Sequence, residues 1–186
     1  MDAVDTAFAA VPRSGFLPPA DRDRADFDGP VLIGHGQTNS QPRTVAAMLR
    51  LLEVGIGMRV LDVGAGSGWT TALLAELTGP GGRVVGVERV PALAQWGASN
   101  VRAAGYPHAT VVEAAEGVLG LPAEAPYDRI LVSADAPAVP GVLLDQLAEP
   151  GRMVLPVRST MTLVRRHDGR DELSQHGGYR FVPLVG

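Results

Sequence analysis

The chain contains no cysteine and no lysine; all 16 basic residues among its 186 are arginine. The first absence excludes a disulfide framework, a thiolate nucleophile and any zinc site built on cysteine. The second excludes the ammonium of a phosphate-binding P-loop and a Schiff base to pyridoxal phosphate. Long apolar runs are also missing, since none approaches the ~20 residues that a membrane-spanning helix requires. An excess of positive charge is missing as well: the formal net charge is −4, whereas a protein that displaces counterions from a polyanion usually carries a basic face. Neither a nucleic-acid nor a membrane partner is therefore expected. The opening MDAVDTAFAAVPR has two acids ahead of its apolar residues and no basic cluster, unlike a secretory signal, which makes a cytoplasmic location the expectation.

The composition is that of a globular protein, 46% hydrophobic and 19% charged, the opposite of the balance that keeps a chain disordered. At 19.4 kDa the surface-scaling relations give about 8,500 Å² exposed when folded against about 28,000 Å² unfolded. That burial suits one core, so a single domain over residues 1–186 is expected; a monomer is the expectation for assembly, which burial does not decide. The 23 glycines and 15 prolines are scattered singly and punctuate turns rather than forming a linker.

Ala3–Val11 reads as a short amphipathic helix, after which Pro12, Pro18 and Pro19 forbid regular structure until about Val31. Val31–Ile33 reads as a short strand leading into a glycine-hinged loop, Gly34–Ser40. A helix cored on Val45–Leu52 follows, with Ser40 as its cap candidate and Pro42 near its first position. Strands are expected at Arg59–Val63, Arg83–Glu88, Thr110–Glu113, Arg129–Ser133 and Met153–Val157, alternating with helices Trp69–Leu77, Ala92–Ala104 and Gly141–Leu147. Such alternation demands crossover connections, hence an α/β fold with a doubly wound, mostly parallel sheet. Met161–Arg166 and Tyr179–Leu184 break the rhythm as two strands flanking a polar turn region, His167–Gly178; strands with no helix between them join most easily antiparallel.

The most informative stretch is Asp62-Val63-Gly64-Ala65-Gly66-Ser67-Gly68, at the first strand-to-helix turn of the alternation. In a doubly wound sheet the ligand crevice lies at the carboxyl ends of the strands, and glycines there let backbone amides approach a ligand. The spacing is GxGxG; a pyrophosphate-binding GxGxxG would need its third glycine where Trp69 stands. An acid ahead of the glycines suits a ligand bearing an ammonium and a sulfonium better than a phosphate. Glu88 ends the next strand, where a carboxylate can take both hydroxyls of a ribose. Together they describe an adenosine with an amino-acid tail, S-adenosylmethionine; the bland alternative is a tight turn and a solvated strand end.

Outside that core, Gly34-His35-Gly36-Gln37-Thr38-Asn39-Ser40-Gln41-Pro42 is similar to the pattern Gly-x-Gly-Gln-Thr-Ile-Ser-Gln-Pro of the protein-L-isoaspartate O-methyltransferase family. Val11-Pro12-Arg13, Ala125–Ile130, Gly151–Val157 and the ending Arg180–Gly186 resemble the same family, so the resemblance runs from about Phe8 to the last residue. It implies a Rossmann-like, S-adenosylmethionine-dependent methyltransferase with antiparallel C-terminal strands. Residues 1–44 would carry the N-terminal helix and acceptor loop, 58–157 the cofactor core and 158–186 the C-terminal strands. The resemblance makes Ser40 the catalytic residue and places His35, Gln37, Thr38 and Gln41 around the acceptor. It assigns Asp62, Gly64, Gly66, Ser67 and Gly68 to the methionine part of the donor, Glu88 and Arg89 to the ribose, and Glu116 and Gly117 to the adenine side.

The acceptor so implied is the free α-carboxylate of L-isoaspartyl residues in damaged proteins or peptides, with S-adenosyl-L-homocysteine as the other product. The methyl ester re-closes to a succinimide, whose hydrolysis returns a share of normal aspartate. A carboxylate with a reference pKa near 3.5 is already ionised at pH 7, so attack on a sulfonium methyl needs no general base. Ser40 is accordingly read as a hydrogen-bond donor to the carboxylate rather than a nucleophile. No metal is expected: His108, His167 and His176 share no ligand spacing and fall in expected surface turns. Trp69 and Trp96 are read as core or cofactor-edge packing.

Three residues depart from the family pattern. Asn39 stands for its isoleucine, Glu116 for an aspartate and Asp135 for an alanine. Asp135 either faces the crevice, where it would repel an anionic acceptor, or is a loop acid turned outward. These departures leave open two other readings, the same methyl transfer to one dedicated biosynthetic peptide and an inactive cofactor-binding module.

Overall fold

A computed structural model describes residues 2–184. The chain opens with α1 (Ala3–Ala10), started by a reciprocal capping box between Asp2 and Asp5. Both carboxylates also reach Arg50, at 2.7 and 2.6 Å. The proline-rich stretch that follows is less irregular than its composition suggests. It holds two 3-10 turns, Arg13–Phe16 and Pro19–Arg24.

The glycine-hinged loop proves to be a hairpin. β1 (Val31–Gly34) pairs antiparallel with β2 (Gln37–Asn39), because Gly34, His35 and Gly36 all take positive φ (91°, 53° and 72°) and reverse the chain within three residues. α2 (Pro42–Leu52) follows, and its N-cap is Gln41 rather than Ser40, with no side-chain cap bond. The expected alternation then runs as β3 (Arg59–Val63), α3 (Trp69–Thr78), β4 (Arg83–Glu88), α4 (Pro91–Ala103), β5 (Ala109–Glu113) and β6 (Tyr127–Val132).

The expected helix at Gly141–Leu147 shrinks to one turn, α5 (Gly141–Leu144), and the chain is already in β7 (Leu147–Val157) three residues later. The buried Gln146 side chain forces this early exit. Its amide donates to Leu119 O and Val142 O, and its oxygen accepts from Leu121 N. β8 (Thr160–His167) and β9 (Arg170–Gly178) complete the chain's strands. The segment expected to be a turn is therefore the last strand among the described residues, and Tyr179–Leu184, expected to be a strand, runs outside the sheet, bonded through Tyr179 N to Ser159 O and bridged by Pro183 to Asp135.

The seven-stranded sheet has the order β5-β4-β3-β6-β7-β8-β9. The first five strands are mutually parallel and the last two antiparallel. Side chains alternate between its faces as a pleat requires. Val60, Leu131 and Val154 join the core beneath α1 to α4, while Leu61, Ile130 and Met153 join a second core closed by Leu143 of α5 and by Leu119 and Leu121. The exposed surface totals 8760 Å², as expected for one core. No described helix is long and apolar enough to cross a membrane.

Candidate active site

β3 and β6 are neighbours in the sheet, and the crossovers leaving them go to opposite sides, which opens a crevice at their carboxyl ends. A cleft of about 950 Å³ lies there. Val63–Ser67, Val87–Arg89 and Ser133–Ala134 form its floor, Gln37–Gln41 one wall and Tyr179–Leu184 the other.

Gly64 and Gly66 take φ of 82° and 53°, so their backbone lies against the cleft where a Cβ would be strained. Gly68 has a different task and is not on the cleft wall. A Cβ there would meet Gly97 O at 2.8 Å, and one on Gly97 would meet Gly66 O at 2.8 Å. The two glycines let α4 seat directly on the loop, where Asn100 Nδ2 holds Ser67 O at 2.9 Å. The first turn of α3 opens on the same cleft through Trp69 and Thr70, with Ser67 just ahead of its N-cap Gly68. Its unpaired amides and the positive end of the helix suit the carboxylate of an amino-acid tail.

Asp62 is not on the wall either. It is 0% exposed, and its Oδ2 accepts from the hydroxyls of Thr70 and Thr71, both at 2.7 Å. Its Oδ1 has no partner. Burial pushes its pKa up to about 6 against the lowering effect of the two threonines, with Glu88 raising it further. Asp62 thus braces the first turn of α3 from below, a role signalled in the sequence only by the threonine pair. Glu88 does reach the cleft. Its two oxygens accept from Gly66 N and Val90 N, each at 2.9 Å. A carboxylate offers about four lone-pair sites, so this one retains capacity for two ribose hydroxyls.

The Gln37–Gln41 wall hangs on Arg13, which is 5% exposed. Its Nε donates to Asn39 Oδ1, and its terminal nitrogens to the carbonyls of Phe27, Gly29, Asn39 and Ser40, at 2.7 to 3.1 Å. Desolvation lowers its pKa from the usual arginine value, and the charge of Arg24 adds to the effect; a guanidinium stays charged regardless. Arg13 also lies over the Trp69 ring at 5.5 Å, while Trp69 Nε1 donates to Val11 O. The sequence singled out Val11-Pro12-Arg13 as a match but did not reveal this clasp.

Ser40 lines the cleft, and among the described residues its hydroxyl makes no hydrogen bond. Since it does not cap α2, the hydroxyl is available to a ligand. Thr38 is placed the same way. Gln41 is already engaged, donating to Asp28 O and accepting from Thr44. Gln37 lines the cleft, whereas His35 sits exposed at the hairpin tip, off the wall.

Arg89 lines the cleft beside Glu88. Glu116 and Gly117 do not line the cleft: a turn closed by Val118 N to Ala115 O puts them at its exposed tip. Ala114, Val118, Leu119 and Gly120 form the wall there instead. Asp135 does not face the crevice. Its carboxylate accepts from Ser159 N at 2.9 Å and Ser159 Oγ at 3.4 Å. Its backbone clasps the C-terminal segment, through Asp135 N to Val182 O and Leu184 N to Asp135 O.

Of the three histidines expected in surface turns, only His108 lies in a turn. His108 is half-buried, with Nε2 3.0 Å from Ala75 O, and His167 and His176 lie on β8 and β9. Among the described residues no group of three or more His, Cys, Asp or Glu side chains could hold a metal ion.

The family profile described as protein-L-isoaspartate(D-aspartate) O-methyltransferase matches residues 1–186. A protein-L-isoaspartate O-methyltransferase of Methanopyrus kandleri is 47% identical over 188 residues, covering 98% of this chain and 83% of its own. A solved protein-L-isoaspartate O-methyltransferase superposes with a TM-score of 0.86 at 27% identity, over the whole of this chain and 62% of that one. A Plasmodium falciparum structure, described as a beta-aspartate methyltransferase in complex with S-adenosyl-L-homocysteine, superposes with a TM-score of 0.87 at 26% identity, over 100% of this chain and 91% of its own.

Proposed function

The chain belongs to the protein-L-isoaspartate O-methyltransferase family, and from that premise we propose that its cleft brings the methyl group of S-adenosylmethionine to the free α-carboxylate of an isoaspartyl residue, starting repair through a succinimide. The observation that carries the proposal is the Ser40 hydroxyl, uncommitted among the described residues, lining the same cavity as the glycine loop and Glu88. S-adenosylmethionine, when bound, supplies an electrophilic methyl on sulfur. Gly64, Gly66, Ser67 and the first turn of α3 would hold its amino-acid end, Glu88 and Arg89 its ribose, and Val87, Ala114 and Leu119 its base.

Ser40 and Thr38 donate to the acceptor carboxylate and orient one oxygen for in-line attack. The acceptor arrives ionised, so the site requires no base, and none of the four histidines lines the cleft. Tyr179–Leu184 closes the opposite side and limits water around the reacting groups. Arg13 and Gln41 hold the acceptor wall in place through their bonds to backbone and side chains around it.

Transfer of radiolabelled methyl from S-adenosylmethionine to a matched pair of peptides, one isoaspartyl and one aspartyl, tests the proposal. Base-labile label on the isoaspartyl peptide alone is the expected result. Label on neither peptide, or equally on both, would contradict it.

A further inference from the structure

We infer that Asn39 is a positioning residue that aims the Ser67 hydroxyl into the cleft and links the acceptor wall to the donor loop through a single amide. The inference rests on the reading of the cleft as a methyl-donor site. Asn39 ends β2 immediately before Ser40 and is only 5% exposed. Its Oδ1 accepts from Arg13 Nε at 2.7 Å, and its Nδ2 donates to Ser67 Oγ at 3.2 Å. The geometry permits no other orientation of the amide, because a guanidinium only donates and only the oxygen of an amide side chain accepts. Arg13 therefore dictates that an N–H is turned toward Ser67.

That choice decides where the Ser67 proton goes. A hydroxyl has one proton and two lone pairs. Here one lone pair is taken by the Asn39 N–H, and Ser67 Oγ makes no other hydrogen bond among the described residues. Ser67 is 2% exposed and lines the cleft, so its proton is left to donate to an acceptor atom on the bound donor. The chain Arg13, Asn39, Ser67 thus runs from the clasp that carries Ser40 to the loop that carries the donor.

Asn39→Asp separates the two links. Aspartate still accepts from Arg13 but has no N–H, so its carboxylate must accept from Ser67 and turn that proton away from the cleft. Calorimetric titration of S-adenosyl-L-homocysteine into the wild type, Asn39→Asp, Ser67→Ala and the double variant reads the effect without turnover. We expect affinity to fall roughly five- to tenfold in Asn39→Asp, the scale of one buried hydrogen bond, and by a similar factor in Ser67→Ala. The double variant should lose no more than either single one, because both changes remove the same donated proton. If Asn39→Asp lacks a cooperative thermal transition, Asn39→Leu takes its place: it leaves the Ser67 proton available but no longer aimed, so affinity should fall by a smaller factor, about two- to threefold, and by no more than Ser67→Ala loses. Unchanged affinity in the Asn39 variant, or losses that multiply in the double variant, would overturn the inference. A wild type that does not bind S-adenosyl-L-homocysteine would overturn the donor reading beneath it.

Discussion

Arg13 and Asp62 are 5% and 0% exposed, yet among the described residues neither forms an ion pair. Arg13 disperses its charge over five oxygen contacts from four residues. Asp62 has two hydroxyl donors on one oxygen and none on the other, so water solvates its ionised form far better than the folded protein does. Its folded pKa of about 6 lies above the unfolded reference near 3.9. The folded state therefore holds a proton that the unfolded state releases between those values. The stability this site contributes is full at low pH and is lost as pH rises through about 6. Replacing Asp62 by Asn removes the titration while keeping an acceptor for Thr70 and Thr71. Urea unfolding at pH 4.5 and pH 7.5 should show the wild type losing about 2 kcal/mol more than the variant over that interval; equal losses would mean that Asp62 ionises freely.

Among the elements, the packing of α4 on the glycine loop fixes the cleft floor. Gly97→Ala would drive a methyl to 2.8 Å from Gly66 O. It should lower stability by about 1–3 kcal/mol, measured by urea unfolding, and weaken S-adenosyl-L-homocysteine in calorimetry. The C-terminal segment is held differently. The Asp135 carboxylate fixes Ser159 N, and Ser159 O accepts from Tyr179 N at 2.8 Å. Asp135→Ala should therefore raise KM for an isoaspartyl peptide about three- to fivefold, with S-adenosyl-L-homocysteine affinity unchanged, while Asp135→Asn stays near wild type.

Elements with strong local signals were legible in the sequence: β3 and β4 lie where their apolar runs end in Gly64 and Glu88. Elements set by tertiary contacts were not. β9 has exposed residues on both faces, so it lacks the period-two apolar pattern and exists only by pairing with β8. Tyr179–Leu184 has such a pattern but spends it on the cleft wall. The end of α5 is dictated by Gln146 bonding to a loop more than 20 residues away in sequence. In the site, residues on the glycine loop were legible because close backbone approach demands glycine. Arg13, the bracing role of Asp62 and the outward turn of Glu116 depend on contacts distant in sequence.

Across the whole molecule, a net charge of −4 coexists with Arg43, Arg89 and Arg180 around one cleft. Arg43 is bound to Asp28, which leaves Arg89 and Arg180 to favour an anionic acceptor within a Debye length. Cores on both faces of the sheet converge on this cleft, so ligand binding stabilises the entire fold. S-adenosyl-L-homocysteine at a hundredfold excess over Kd should raise Tm by about 5–10 °C, read by calorimetry; no shift would mean that the cleft does not take this ligand. The central claim is that Ser40, held by Arg13 across from the glycine loop, orients the acceptor without contributing to donor binding. Steady-state kinetics of Ser40→Ala on an isoaspartyl peptide, with S-adenosyl-L-homocysteine affinity measured on the same preparation, tests it most directly. The predicted result is a fall in kcat/KM of about 10²–10³ with donor-product affinity unchanged. Near-wild-type kcat/KM, or an equal loss of S-adenosyl-L-homocysteine binding, would contradict it.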